Sequence, residues 1–216
     1  MKIVSINVAM PVEVEHRGKP VSTGIFKTPV SGPVEITHHN LAGDGQADLE
    51  NHGGENKAVY AYSADHYAYW QQELRLESLP CGQFGENLTV AGLDEVALCI
   101  GDRLRAGTAL LTITQPRVPC YKLGIRFEDK QMPKKFTRSA RTGVYLKVLE
   151  TGAVNTGDSI EVLSRGLGEL PVKRLFEAYF MPCGDESVAV LEQALEIPEL
   201  SAEWRAQLEQ RLAGND

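Results

Sequence analysis

A chain of 216 residues can bury a substantial core, either as one large domain or as one domain with a small appendage. Its 43% hydrophobic content and absence of any long apolar run fit a globular protein without a bilayer span. The net charge of −7 argues against a general nucleic-acid binder, and the four widely spaced cysteines, Cys81, Cys99, Cys120 and Cys183, form no CxxC pair of a zinc or redox motif, so a reducing, cytoplasmic home is expected.

The first ten residues, MKIVSINVAM, are interrupted by Ser5 and Asn7 and followed by Pro11, so they lack the apolar stretch and cleavage site of a signal peptide. Strand patterns are expected at residues 2–8, 34–37, 58–62, 87–90, 96–100, 109–114, 144–149 and 159–163. Glycine and proline separate them, the punctuation of a barrel or other closed β architecture. Gly101-Asp102 and Gly157-Asp158 each fit a hairpin corner. His38-His39 belongs to a loop or strand edge rather than a metal site, because no third ligand lies at suitable spacing.

The stretch from Leu41 to Lys57 is too polar and glycine-rich to be core. Gly53 and Gly54 let backbone N–H groups approach a ligand, and His52 and Lys57 add donors for an anion such as phosphate. Its spacing is neither a Walker loop nor a dinucleotide fingerprint, and a plain glycine turn between strands remains the alternative. Residues 64–76 carry Tyr67, Trp70 and Leu74 at helical spacing, a stripe that belongs in the core. In Phe84-Gly85-Glu86-Asn87, Asn87 stands at the mouth of a strand, where it either donates to a ligand or caps the preceding turn.

Cys120 is the most informative residue. It follows the apolar strand 109–114 in the run Gln115-Pro116-Arg117-Val118-Pro119-Cys120-Tyr121-Lys122, where two prolines fix their own φ and stiffen the turn. Arg117 and Lys122 flank it. A thiol beside fixed cations loses its proton more readily, and the thiolate attacks electrophiles or binds soft metals; a buried apolar cysteine is the alternative. From Arg117 to Arg141 the chain holds Arg117, Lys122, Arg126, Lys130, Lys134, Lys135, Arg138 and Arg141 against Glu128 and Asp129, a concentration that suits a compact anionic ligand or a solvated helix face. Residues 130–138 have the composition of a short basic helix starting near Pro133.

From Ser164 the pattern turns helical. Pro171 opens 172–179; Gly184-Asp185 precedes a run to Glu196 with Val188, Leu191 and Leu195 on one face; Ser201 caps 202–212, where Trp204, Leu208 and Leu212 recur. A unit this small buries little surface alone, so it packs on the β domain or on a partner. The expected division is a β domain at 1–163 and a three-helix domain at 164–216.

Taken in order, DGQADLENHGGENKAVY, GENLTV, IGDRLRAG, PRVPCYKLG and RTGVYLKVLETGAVNTGDSIEVL resemble the MOSC domain, which also occurs at the C-terminal end of molybdenum cofactor sulfurases, and the tail from LPVKRLFEAYF onward resembles the three-helix appendage of the bacterial YiiM-type subgroup. The resemblance implies a mainly β fold with some α, a closed β-barrel-like MOSC domain plus the helical unit. It implies that the site holds the molybdenum cofactor in its molybdopterin form, with Cys120 as the catalytic metal ligand. Arg117, Lys122, His52, Gly53, Gly54, Lys57, Asn87, Arg138 and Arg141 are then the candidates for the phosphate and pterin. The implied activity is reduction of N-hydroxylated compounds, such as hydroxylaminopurines, to amines. The implied partners are a small N-hydroxylated substrate and a separate electron-donor redox protein, because the chain has neither a close cysteine cluster nor a dinucleotide fingerprint. No nucleic acid polymer or membrane is expected as a partner, and self-association is left open. A cofactor carrier, or a sulfur carrier using Cys120, is the alternative.

Overall fold

The computed structural model describes residues 1–47 and 53–214. Its strands are β1 (Lys2–Val8), β2 (Val12–His16), β3 (Lys19–Thr23), β4 (Thr28–Val30), β5 (Val34–Ile36), β6 (Val59–Ser63), β7 (Leu88–Ala91), β8 (Arg103–Ala106), β9 (Ala109–Pro116), β10 (Val144–Glu150), β11 (Gly152–Val154) and β12 (Ile160–Ser164). The helices are α1 (His66–Leu74), α2 (Tyr121–Arg126), α3 (Met132–Ser139), α4 (Val172–Phe180), α5 (Gly184–Leu195) and α6 (Ala202–Leu212).

Period-two burial builds the sheet. Strand β10 buries Val144, Leu146 and Val148 and turns Tyr145 and Lys147 to its other side. Among the described residues, eight strands join in the order β12-β8-β9-β10-β6-β7-β1-β4, antiparallel throughout except for the parallel pair β6–β7 that α1 connects. Strand β6 is buried on both faces: Val59 and Ala61 enter an aliphatic core, while Tyr60 and Tyr62 enter an aromatic one with Trp70, Phe84 and Phe136. That second core seats α1, α2 and α3 beside the sheet.

The closed barrel expected from strand spacing is not present as a continuous ladder. Strands β1 and β12 meet through the Lys2↔Ser159 bridge and short bonds such as Ile3 N–H to Asp158 O at 2.9 Å. Strand β4 explains the break, because it pairs with Ile6, Asn7 and Val8 of β1 and leaves only the start of that strand for the β12 segment. The fold is therefore mixed α and β, an eight-stranded mixed sheet with C-terminal helices.

Two other local expectations change. Residues 96–100 form turns, because Asp94 Oδ1 accepts from Val96 N–H at 2.9 Å and Asp102 Oδ2 accepts from Cys99 N–H at 3.0 Å, which bends the backbone away from a ladder. In α5 the buried face is Ser187, Val190, Leu191 and Ala194, and Val188 points outward at 44% exposure. Ser187 and Ala194, which a search for large apolar residues alone passes over, complete that face beside Val190 and Leu191.

The helical tail packs on the β domain. Helix α4 buries Val172, Leu175 and Phe176 at helical spacing, α6 buries Trp204 and Leu208, and both helices share the aliphatic core with the sheet. Backbone bonds tie the joint: Ile100 N–H donates to Leu170 O and Val172 N–H to Leu98 O, each at 2.9 Å. Asp102, fully buried, accepts from Gly166 N–H and from Arg165 Nη1, also at 2.9 Å. A chain ended at Gly166 would lose the Leu170 and Val172 backbone partners of Ile100 and Leu98 and uncover the apolar side chains that α4 and α6 cover, so it is expected to aggregate or to unfold non-cooperatively. A cooperative melt of soluble truncated protein near the full-length temperature would contradict this. Among the described residues no helix is long and apolar enough to cross a membrane.

Candidate functional site

Strand β9 ends at Pro116 and delivers the next residues to the junction of the two cores. Cys120 is the N-cap residue of α2, with extended backbone (φ −117°, ψ 177°), and its carbonyl accepts from Leu123 N–H at 3.0 Å. Its side chain is half-buried. Three residues earlier Arg117 is buried, its guanidinium 5.0 Å from the ring centre of Tyr60 and 5.1 Å from that of Phe136. A weakly hydrated, planar cation tolerates such aromatic faces. Its Nη1 is buried with no hydrogen-bond partner. Burial pulls the Arg117 pKa down, but Tyr60, Tyr145 and the Cys120 sulfur favour the cation and together raise it above its ordinary value.

A solvent-open cleft of ≈ 100 Å³ brings Cys120 and Arg117 together with Lys57, Asn87, Lys122 and Tyr145. Lys122 is buried on α2. Lys57 pairs with Glu203 at the start of α6 and lies 6.0 Å from the centre of the Tyr145 ring, so the helical tail touches the wall of the cleft. Among the described residues no three of His, Cys, Asp and Glu gather to hold a metal ion. A metal in this cleft has to arrive with ligands of its own.

Two residues that the sequence did not single out line the same cleft. Lys27 and Asp44 form a buried ion pair. Burial lowers the Lys27 pKa, and Asp44 opposes that. Asp44 also accepts from Ala9 N–H and from Asn87 Nδ2, both at 2.9 Å. The Asn87 amide is thus engaged within the protein, since its Oδ1 accepts from Tyr60 N–H at 3.0 Å. Asn87 holds Asp44 and β6 in place.

Glu86, next to it, is fully buried. Its carboxyl accepts from Tyr67 OH, from Thr89 OH at 2.7 Å, from Gly82 N–H at 2.9 Å and from Phe84 N–H at 3.1 Å. Burial raises its pKa against these donors. Glu86→Ala leaves several buried donors unmet, so a loss of about 3 kcal/mol or more in unfolding free energy is expected from denaturant titration. A loss below about 1 kcal/mol would show that water replaces the carboxylate.

The remaining candidates lie elsewhere. Gly53 and Gly54 do not line the cleft. The Gly54 N–H donates to Gln46 Oε1 at 3.0 Å, and its φ of 87° is the left-handed backbone that glycine supplies. Arg138 is exposed on α3, and the Arg141 guanidinium sits 3.7 Å from the centre of the Tyr69 ring, away from the cleft. His52 lies outside the described residues.

The family model for the MOSC domain matches residues 48–161, and that of the YiiM-like 3-alpha helix domain matches residues 170–215. The protein YflK of Bacillus subtilis (strain 168) is 41% identical over 204 residues, which cover 94% of this chain and 91% of that one. The crystal structure of YiiM from Geobacillus stearothermophilus superposes with a TM-score of 0.81 at 34% identity, covering 98% of both chains. A protein of Gibberella moniliformis (strain M3125 / FGSC 7600) named reductase is 36% identical over 151 residues, 68% of this chain and 27% of that longer protein.

Proposed function

The chain belongs to the MOSC-domain family and ends in the YiiM-like three-helix unit, and on that premise we propose that it is a molybdenum-cofactor-dependent reductase of N-hydroxylated compounds. The observation that carries this reading is the buried, unpartnered Nη1 of Arg117 in the same cleft as the half-buried Cys120 thiol. A buried orphan donor on a cation fits an anion, and a lone soft ligand fits a metal that brings its own dithiolene. The likeness to one part of a longer protein named reductase supports the reaction class.

In this reading Cys120 would hold the metal through sulfur, while Arg117 and Lys122 would hold the phosphate. Lys57, fixed by Glu203, would close the far wall. Asn87 and Asp44 act indirectly by orienting Lys27 and the backbone of β6. The bound cofactor supplies a two-electron couple at a soft metal. The balanced change is R–NHOH plus two electrons and two protons to R–NH₂ plus water. The electrons come from a separate redox protein, because the free cysteines at 81, 99, 120 and 183 form no cluster site among the described residues.

The test is protein made in cells with an intact molybdopterin pathway, given an N-hydroxylated substrate and a viologen reductant. Bound cofactor with stoichiometric amine formation is expected. Bound cofactor without amine would identify a carrier, and protein that never retains the cofactor would overturn the reading.

A further inference from the structure

Cys120 stands in the wall of two cavities. Besides the cleft that contains Arg117 and Lys57, a second solvent-open cavity of ≈ 360 Å³ lies between the tip of the β2–β3 hairpin, α2 and the segment that follows it. Its lining includes His16, Arg17, Tyr121, Glu128 and Lys130 besides Cys120. The two cavities differ in chemistry. The first concentrates buried cations around the thiol, whereas the second presents aromatic surface with charges of both signs at its rim.

The aromatic surface is built by two elements distant in sequence. His16 at the end of β2 stacks on Tyr121 at the start of α2, with ring centres 5.4 Å apart and planes inclined at 29°. Tyr121 is 48% exposed, an unusual outlay of aromatic surface beside a site cysteine. Arg17 and Glu128 both adopt left-handed backbone, φ 55° and 53°, which costs energy in residues other than glycine and fixes the corners of the rim. The rim carries donors at Arg17 and Lys130 and an acceptor at Glu128, so a neutral planar ring with polar substituents fits better than a strong anion or cation.

We propose that this second cavity seats the aromatic ring of the N-hydroxylated substrate, with Tyr121 and His16 as the residues that set ring specificity. The inference rests on the reductase reading for its substrate, but its geometry is independent of that reading. The ring enters beside α2 while the cofactor occupies the cationic cleft, and Cys120 lies where the two meet. The pair then favours aromatic over aliphatic substrates, whatever the cofactor chemistry contributes.

The experiment compares benzamidoxime with acetamidoxime as substrates, and separately measures binding of benzamide, a neutral ring that cannot be reduced, by calorimetry. In Tyr121→Ala the ratio of kcat/KM for benzamidoxime to that for acetamidoxime is expected to fall about tenfold, chiefly through KM, and benzamide binding to weaken by a similar factor. Tyr121→Phe, which keeps the ring, should restore both. His16→Ala provides a second variant on the opposite element, should the α2 substitution disturb folding, and should lower the same ratio. An unchanged ratio and unchanged benzamide affinity in both alanine variants would overturn the ring pocket while leaving the reductase reading intact. Benzamide binding that depends on Tyr121, in a cofactor-loaded protein that reduces neither amidoxime nor a hydroxylaminopurine, would instead uphold the pocket and remove the reductase reading.

Discussion

Cys120→Ala is expected to reduce N-hydroxylated substrate at no more than the background rate while changing unfolding free energy by less than about 1 kcal/mol. The side chain is half-buried at the wall of the cleft, so its removal opens little core. On the proposed reading what would be lost is the soft ligand, for which no neighbouring group substitutes: among the described residues no other cysteine lines the cleft. Alanine at Cys81, Cys99 or Cys183 should preserve turnover. Full activity in Cys120→Ala, measured with an artificial reductant so that electron supply is not limiting, would remove the thiol from the chemistry.

Arg117→Ala should weaken cofactor retention by about tenfold or more, the worth of one charge-assisted contact of roughly 1.5 to 3 kcal/mol. Thermal stability should change far less. The substitution loses two cation–aromatic contacts, but it also removes a buried guanidinium whose Nη1 has no partner, and these effects oppose each other. Arg117→Lys keeps the charge without the planar fork and should fall between parent and alanine. Cofactor content after extensive dialysis reads the effect directly. Undiminished content in Arg117→Ala would exclude this residue from the anion site, whereas a large fall in melting temperature would make it a core residue instead.

The strand-and-turn signals around Cys120 were legible because they are local. Two prolines and a cation on each side lie within eight residues directly behind an apolar strand, and the structure places Arg117, Cys120 and Lys122 in one cleft. Lys27 and Asp44 were not legible. Lys27 stands in an unremarkable loop and Asp44 in a polar stretch whose glycines and His52 drew the attention, and the pair becomes visible only when chain segments 17 residues apart meet, with Asn87 joining from 43 residues further on. Arg138 and Arg141 show the opposite failure, since proximity in sequence to Cys120 does not bring them to the cleft when α3 turns its apolar face to the aromatic core.

Secondary structure follows the same division. Helix α2 has only six residues, too few for a hydrophobic period to emerge, so the turn after Cys120 gave no sign of it. The β2–β3 hairpin did leave a signal, the alternation Val12-Glu13-Val14 and its partner Val21, but its turn is Arg17-Gly18, with positive φ at both residues, rather than the usual Asn-Gly. The barrel expectation failed for a reason outside any single strand: β4 competes with the β12 segment for the same edge of β1.

The central claim is that the sulfur of Cys120 ligates molybdenum, and X-ray absorption at the molybdenum edge tests it most directly. Protein purified from molybdopterin-competent cells is compared with Cys120→Ala reconstituted to the same metal content. The account predicts that the variant's molybdenum has one sulfur neighbour fewer than the parent's, with an oxygen neighbour in its place. An identical sulfur shell in the two proteins would contradict it.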